Sequence, residues 1–274
     1  MNAIRYALTL APVYVCAGGC QSPSPPEPTE SAETATVVEG FAAPIERAHS
    51  AEIWRQKEAF QSGIVVRFGE NRIVEGRMLT TPSMSRTRLE LASGPVAIWD
   101  GEDVWVSPRG GDFPEARFHA LTWPYFLSAP TKLGDPGARI APTGRRELRG
   151  ESFETAKLSF DSGVGDTPDD WYVLYRNPES GRLAAMAYIV TFGKSLAEAQ
   201  EEPHAITFDE YVDVEGVPIP TKWTFWMWSE GEGIQGEPIG DVTLENPAFV
   251  PLEESVFKVP EDARKEELPG TSVS

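Results

Sequence analysis

Alternation of apolar and polar residues dominates the chain after its first 40 or so residues. In Ser85 to Leu91, the charges Arg86, Arg88 and Glu90 alternate with Thr87, Leu89 and Leu91, the period of a strand with one wet face. In Ala205 to Val214, Ile206, Phe208, Val212 and Val214 likewise oppose Thr207, Asp209, Tyr211 and Asp213. Strand-like composition also predicts strands over 64–68, 72–80, 96–99 and 103–106, punctuated by Gly69, Pro82, Gly94 and Gly101. Further strands are expected over 153–160, 171–176, 182–192, 221–228 and 240–245. The turns Asn177-Pro178-Glu179-Ser180-Gly181 and Glu215-Gly216 suit hairpins, so the sheet should be antiparallel.

Two stretches carry helical spacing instead. Between Pro44 and Phe60, Ile45, Ala48, His49, Ile53 and Phe60 fall near one face, with Glu46, Arg47, Arg55 and Glu58 on the other. Between Pro114 and Leu127, Phe118, Leu121 and Tyr125 share a face, and Pro124 is expected to kink or restart the helix. No self-similarity at a period of about 20 to 50 residues is visible, which argues against propellers and solenoids.

One strand is unusually aromatic. Alternation through Trp223 to Trp228 sends Trp223, Phe225 and Met227 to one side and Trp226 and Trp228 to the other, so both sheet faces should meet apolar partners. A core face plus a helix-covered face accounts for this, and so does the wall of a cavity.

The first 19 residues break from the pattern. Arg5 is followed by an apolar stretch from Tyr6 to Val15, too short to span a bilayer, which reads as a secretory signal over residues 1–19. The run Ala17-Gly18-Gly19-Cys20 resembles the lipobox of bacterial lipoproteins, in which a cysteine is acylated and becomes the mature N-terminus; Ala17 replaces the usual Leu. The thiol of Cys20 would take up the diacylglyceryl group, giving a stable attachment to a membrane. An ordinary signal peptide beside an incidental cysteine remains the alternative. Gln21 in place of Asp favours the outer membrane by the same resemblance. Residues 20–43 then form a tether rich in Pro, Ser and Glu, a folded body is expected over 44–260, and 261–274 read as a flexible tail.

Composition narrows the function classes. Of 274 residues, 41% are hydrophobic and 10% aromatic, ample for a core. The net charge of −18 repels phosphate backbones, so no nucleic-acid partner is expected. Both cysteines, Cys16 and Cys20, precede the body, which therefore folds without disulfides or a cysteine metal site. His49, His119 and His204 lie far apart in sequence with no ligand spacing, and no metal or other cofactor is expected. The acidic loop Asp161, Asp166, Asp169 and Asp170 departs from EF-hand spacing and reads as a solvated turn. There is no Gly-x-Ser-x-Gly elbow, phosphate-binding glycine loop or His-Glu-x-x-His element. The chain is expected not to be an enzyme, unless a hydrolytic site is assembled from residues distant in sequence.

The order of elements resembles the lipoprotein-carrier superfamily of LolA and LolB. The pieces are helix 44–60, Glu75-Gly76-Arg77-Met78-Leu79, the hairpin Ala97-Ile98-Trp99-Asp100-Gly101-Glu102-Asp103-Val104-Trp105-Val106, the run from Phe208 to Thr221, and Val256-Phe257-Lys258-Val259-Pro260. That resemblance implies a mainly β fold, an unclosed antiparallel β-barrel with an N-terminal helix and a helical insertion covering the concave face. It also implies a cavity for an apolar ligand such as a lipid or acyl chain, for which Phe118, Leu121, Tyr125, Trp223, Phe225, Trp226 and Trp228 are the wall candidates. An assembly role with a protein partner of unspecified identity is the other expectation.

Overall fold

The structure, a computed structural model, describes residues 40–269. The signal segment, Cys16, Cys20 and the tether up to residue 39 lie outside the described residues. Chain order is α1 (residues 40–48), α2 (Ala51–Gln56), then strands β1 (Ala59–Phe68), β2 (Asn71–Thr80), β3 (Thr87–Leu91), β4 (Val96–Trp99) and β5 (Val104–Ser107). Helix α3 (Ala116–Ser128) follows, then β6 (Ala138–Leu148), β7 (Glu151–Phe160), β8 (Tyr172–Arg176) and β9 (Leu183–Tyr188). Helix α4 (Leu196–Glu201), β10 (His204–Val214), β11 (Val217–Ser229), β12 (Gly233–Val250) and β13 (Arg264–Glu266) complete it.

All 13 strands form one antiparallel sheet in the order β13-β5-β4-β3-β2-β1-β12-β11-β10-β9-β8-β7-β6, and its end strands do not pair with each other. The sheet is thus an unclosed barrel, as the resemblance to the lipoprotein-carrier superfamily implies. Hairpin chemistry sets much of the register. Glu215-Gly216 and Arg149-Gly150 each join strands through two residues with positive φ, the geometry whose twist matches that of the flanking strands.

The main core lies on the concave face. It gathers Ile64, Val66, Met78, Leu89, Trp223, Phe225, Met186 and Leu174 beneath the helices. Backbone of α3 packs on β3, β4 and β5, while its aromatic side chains reach across to the far strands, Tyr125 to Tyr172 at 5.4 Å and Phe126 to Tyr188 at 5.1 Å between ring centroids. A second apolar cluster covers the outer face: Ala185, Ala187 and Ala205 leave room for the rings of Trp226, Trp228 and Tyr175. Its cover is the tip of the β6–β7 hairpin rather than a helix, with Arg149 4.4 Å above the Trp226 ring and Arg146 paired to Glu230.

Three sequence expectations are corrected. The helix over 44–60 is two helices, starting at residue 40, broken at Ser50 with φ of 51° and ended at Gln56; Phe60 is a strand residue and Ile53 is exposed. Residues 264–266 of the expected tail pair with β5. The helix does not restart at Pro124: it is continuous over Ala116–Ser128, with Phe126 and Leu127 beyond the proline buried in the core alongside Ala120 and Trp123 before it.

A candidate cavity beneath helix α3

Aromatic residues on α3 meet the concave face across a gap. Phe118, Leu121 and Tyr125 recur at helical spacing, so they point the same way, and opposite them stand Leu158 and Phe160 of β7, Tyr172 of β8 and Tyr188 of β9. The space between them is about 400 Å³, within the range of small-molecule sites, roughly 300 to 1,000 Å³. Its wall is mostly apolar. Val164, Val190, Phe192 and Leu133 extend it.

Polar groups at the rim are largely satisfied by protein. Arg117, only 6% exposed, forms a two-bonded ion pair with Asp166, Nε to Oδ2 at 2.6 Å and Nη2 to Oδ1 at 2.9 Å, and stacks over Trp99. The hydrogen bonds to Asp166, then its charge and that of Asp103, raise the Arg117 pKa against the opposing effect of burial. This pair straps the 161–170 loop to α3. Asp170, at the loop's other end, accepts from the Thr191 N–H and Oγ1 at 2.7 Å each and from Thr167 Oγ1 at 2.8 Å. Burial nevertheless raises its pKa. Burial also raises the Tyr125, Tyr172 and Tyr188 phenols, so the cavity wall carries no phenolate at neutral pH.

The acidic loop is therefore a set of clamps, Asp161 pairing with Arg139 (2.5 Å), Asp166 with Arg117 and Asp170 with Thr191. Among the described residues no group of three or more His, Cys, Asp or Glu is placed to hold a metal ion.

The seven wall candidates separate. Phe118, Leu121 and Tyr125 line the cavity. Trp223 and Phe225 are fully buried core residues, Phe225 stacked on Phe68 at 5.0 Å, and Trp226 and Trp228 sit in the outer cluster, so these four are not on its wall. Their rings saturate two faces of one sheet, which alternation alone predicts. Sequence reading missed Phe160, Tyr172 and Tyr188, whose strands looked like ordinary core strands because the space they face belongs to the tertiary fold.

The histidines have structural surroundings. His49 Nε2 accepts from the Leu183 N–H (3.1 Å), and burial together with the Arg182 charge lowers its pKa to about 4. His119 stacks on Trp123 at 5.6 Å, its pKa lowered to about 4 by burial. No hydrogen bond joins any of the three histidines to a serine or a carboxylate among the described residues.

No family model matches the chain, and no characterised protein matches its sequence. Solved structures do. A LolA superfamily protein from Nitrosomonas europaea superposes with a TM-score of 0.52 at 12% identity, over 80% of this chain and 97% of that one. A DUF1329 family protein from Desulfovibrio piger gives a TM-score of 0.44 at 10% identity over 80% and 97%. Lipoprotein LppX from Mycobacterium tuberculosis gives 0.25 at 9% identity over 55% and 88%. The chain therefore has a LolA-like fold, a mainly β, unclosed antiparallel sheet with few helices.

Proposed function

We propose that this protein is a non-enzymatic binding protein of the bacterial envelope, anchored through a lipid on Cys20, that holds an apolar chain such as that of a lipid in the cavity beneath α3. The observation that carries the reading is the cavity itself: about 400 Å³, walled by aromatic and aliphatic side chains on the concave side of the sheet. Apolar surface of that kind gains from covering by hydrocarbon, each methylene transferred from water contributing about 0.8 kcal/mol. The polar rim is already paired within the protein, so it makes few demands on a ligand. A hydrolytic reading finds less support, since the buried His49 and His119 sit among backbone and aromatic partners, with no serine or carboxylate hydrogen-bonded to either among the described residues.

Native mass spectrometry of the intact protein, as isolated and after addition of alkyl chains of increasing length, tests the proposal. We expect a copurifying or added apolar ligand, and affinity that rises about fourfold per methylene until the cavity is full. Absence of any bound chain across the series would remove the reading.

A further inference from the structure

The cavity beneath α3 is apolar over most of its wall, but five charged residues also line it: the cations Arg117 and Lys132, and the carboxylates Asp135, Asp166 and Asp170. Negative charge is in excess there. Neither cation is free for a ligand. Arg117 gives two hydrogen bonds to Asp166, and its remaining nitrogen, Nη1, has the Asp103 carboxylate 3.9 Å away. Lys132 Nζ pairs with Asp135 and donates to the Ser83 carbonyl at 3.3 Å.

The surplus charge is that of Asp170. Its partners, the Thr191 N–H and hydroxyl and the Thr167 hydroxyl, are uncharged, and no cation pairs with it among the described residues. It is buried, so water screens its charge poorly. The field reaches the cavity wall. Burial comes first in raising the Tyr125 phenol, and the charges of Asp170 and Asp135 push it the same way; burial, Tyr125 and then Asp170 raise Tyr172. An ionised carboxylate entering this space meets no cation that lacks a carboxylate already, and one carboxylate that lacks a cation. An ion that leaves water without a partner loses far more than a hydroxyl or an ester does.

We infer that the cavity selects its ligand by charge: it takes a neutral amphiphile, an apolar chain that ends in a hydroxyl, ester or amide, and rejects a fatty acid in its ionised form. The inference rests on the reading of the cavity as a site for an apolar chain. What it adds is the class of chain. Asp135 is the residue that withholds Lys132 from an anionic ligand. Its side chain is 40% exposed and Lys132 is its one ion-pair partner among the described residues, so it can be changed without opening the core.

The test measures the affinity of the intact protein for decanol and decanoate by calorimetry, each probe below its aggregation concentration. The measurements are made at pH 8, where carboxyl groups are ionised, and in about 0.15 M salt, which screens charges beyond about 8 Å. Decanol should bind at least about tenfold more tightly than decanoate. Asp135→Asn releases Lys132, so it should strengthen decanoate about fivefold, the scale of one partly exposed ion pair, and leave decanol within about twofold. Glu237→Gln changes the net charge equally at an exposed position outside the lining and should move neither probe. Decanoate binding as tightly as decanol, or a gain in Asp135→Asn no larger than in Glu237→Gln, overturns the inference and leaves the apolar cavity standing. Failure of both probes to bind overturns the cavity reading as well. Should Asp135→Asn not fold, Lys132→Gln, which removes the cation instead, must push the two affinities further apart, and an unchanged ratio overturns the inference.

Discussion

Mild acid should destabilise this protein through His119, and the size of the effect follows from its surroundings. The imidazole is 5% exposed between the rings of Phe113 (6.2 Å) and Trp123 (5.6 Å), its Nδ1 has no hydrogen-bond partner among the described residues, and burial lowers its pKa from an ordinary 6.5 to about 4. Above pH 6.5 the ring is neutral whether the chain is folded or not. Between pH 6.5 and 4 the unfolded chain binds a proton at this site that the folded one excludes, so stability falls as pH falls. By pH 5 the loss from this one group is about 2 kcal/mol, at 1.36 kcal/mol for each unit by which the pKa values differ. His49 acts in the same direction, and the carboxylates add effects of their own, so the comparison must be differential. His119→Phe keeps an aromatic ring in the stack and removes the titration. Urea denaturation at pH 7.5, 6.5, 5.5 and 5, followed by tryptophan fluorescence, should give wild-type stability that drops about 2 kcal/mol further than the variant's between pH 7.5 and 5. At pH 7.5 the two differ only by packing. Parallel stability profiles across the whole range would refute the assignment of a buried, neutral His119.

Other sites give sharper structural tests. A Cβ on Gly76 would stand 1.8 Å from the Glu90 carbonyl oxygen on the neighbouring strand, so Gly76→Ala should cost about 3 kcal/mol or abolish folding, read as soluble yield and urea midpoint. Asp166→Ala leaves the buried Arg117 guanidinium without its principal partner and should cost about 3 kcal/mol; adding Arg117→Met should restore much of that, and a double-mutant cycle with no coupling would count against the strap. Cys20→Ser should end incorporation of labelled fatty acid while leaving the thermal unfolding of the body unchanged, whereas a variant that still carries label would exclude Cys20 as the attachment point.

Which elements the sequence discloses depends on how their stability is built. Strands with one wet face, such as Thr87–Leu91, are legible because alternation records a local fact, the side on which water lies. Strand β6 is not: ARIAPTGRREL carries four charges, a proline and a glycine, since as an end strand it must discourage further pairing, and that composition erases the signal of a strand. The break at Ser50 escapes periodicity because Ile53 happens to fit the helical phase of Ile45 and Ala48. In the cavity, the α3 residues Phe118, Leu121 and Tyr125 are legible as one helical face, but a buried face in contact with protein and one bordering a void have the same pattern. The tryptophans of β11 were the tempting candidates for that reason. Their abundance reflects two packed faces of one strand, a demand that no single face would make.

Because β13 and β6 end the sheet without pairing to each other, its girth is not fixed by hydrogen bonding. In a closed barrel, strand number and stagger together determine the diameter, and widening it means breaking a ladder. Here the concave side can widen by unrolling, with every strand pair intact, and what resists is the Arg117–Asp166 strap and the aromatic contacts from α3 to β8 and β9. Capacity is then an elastic property of the molecule, set by a few side chains that span the gap rather than by its backbone.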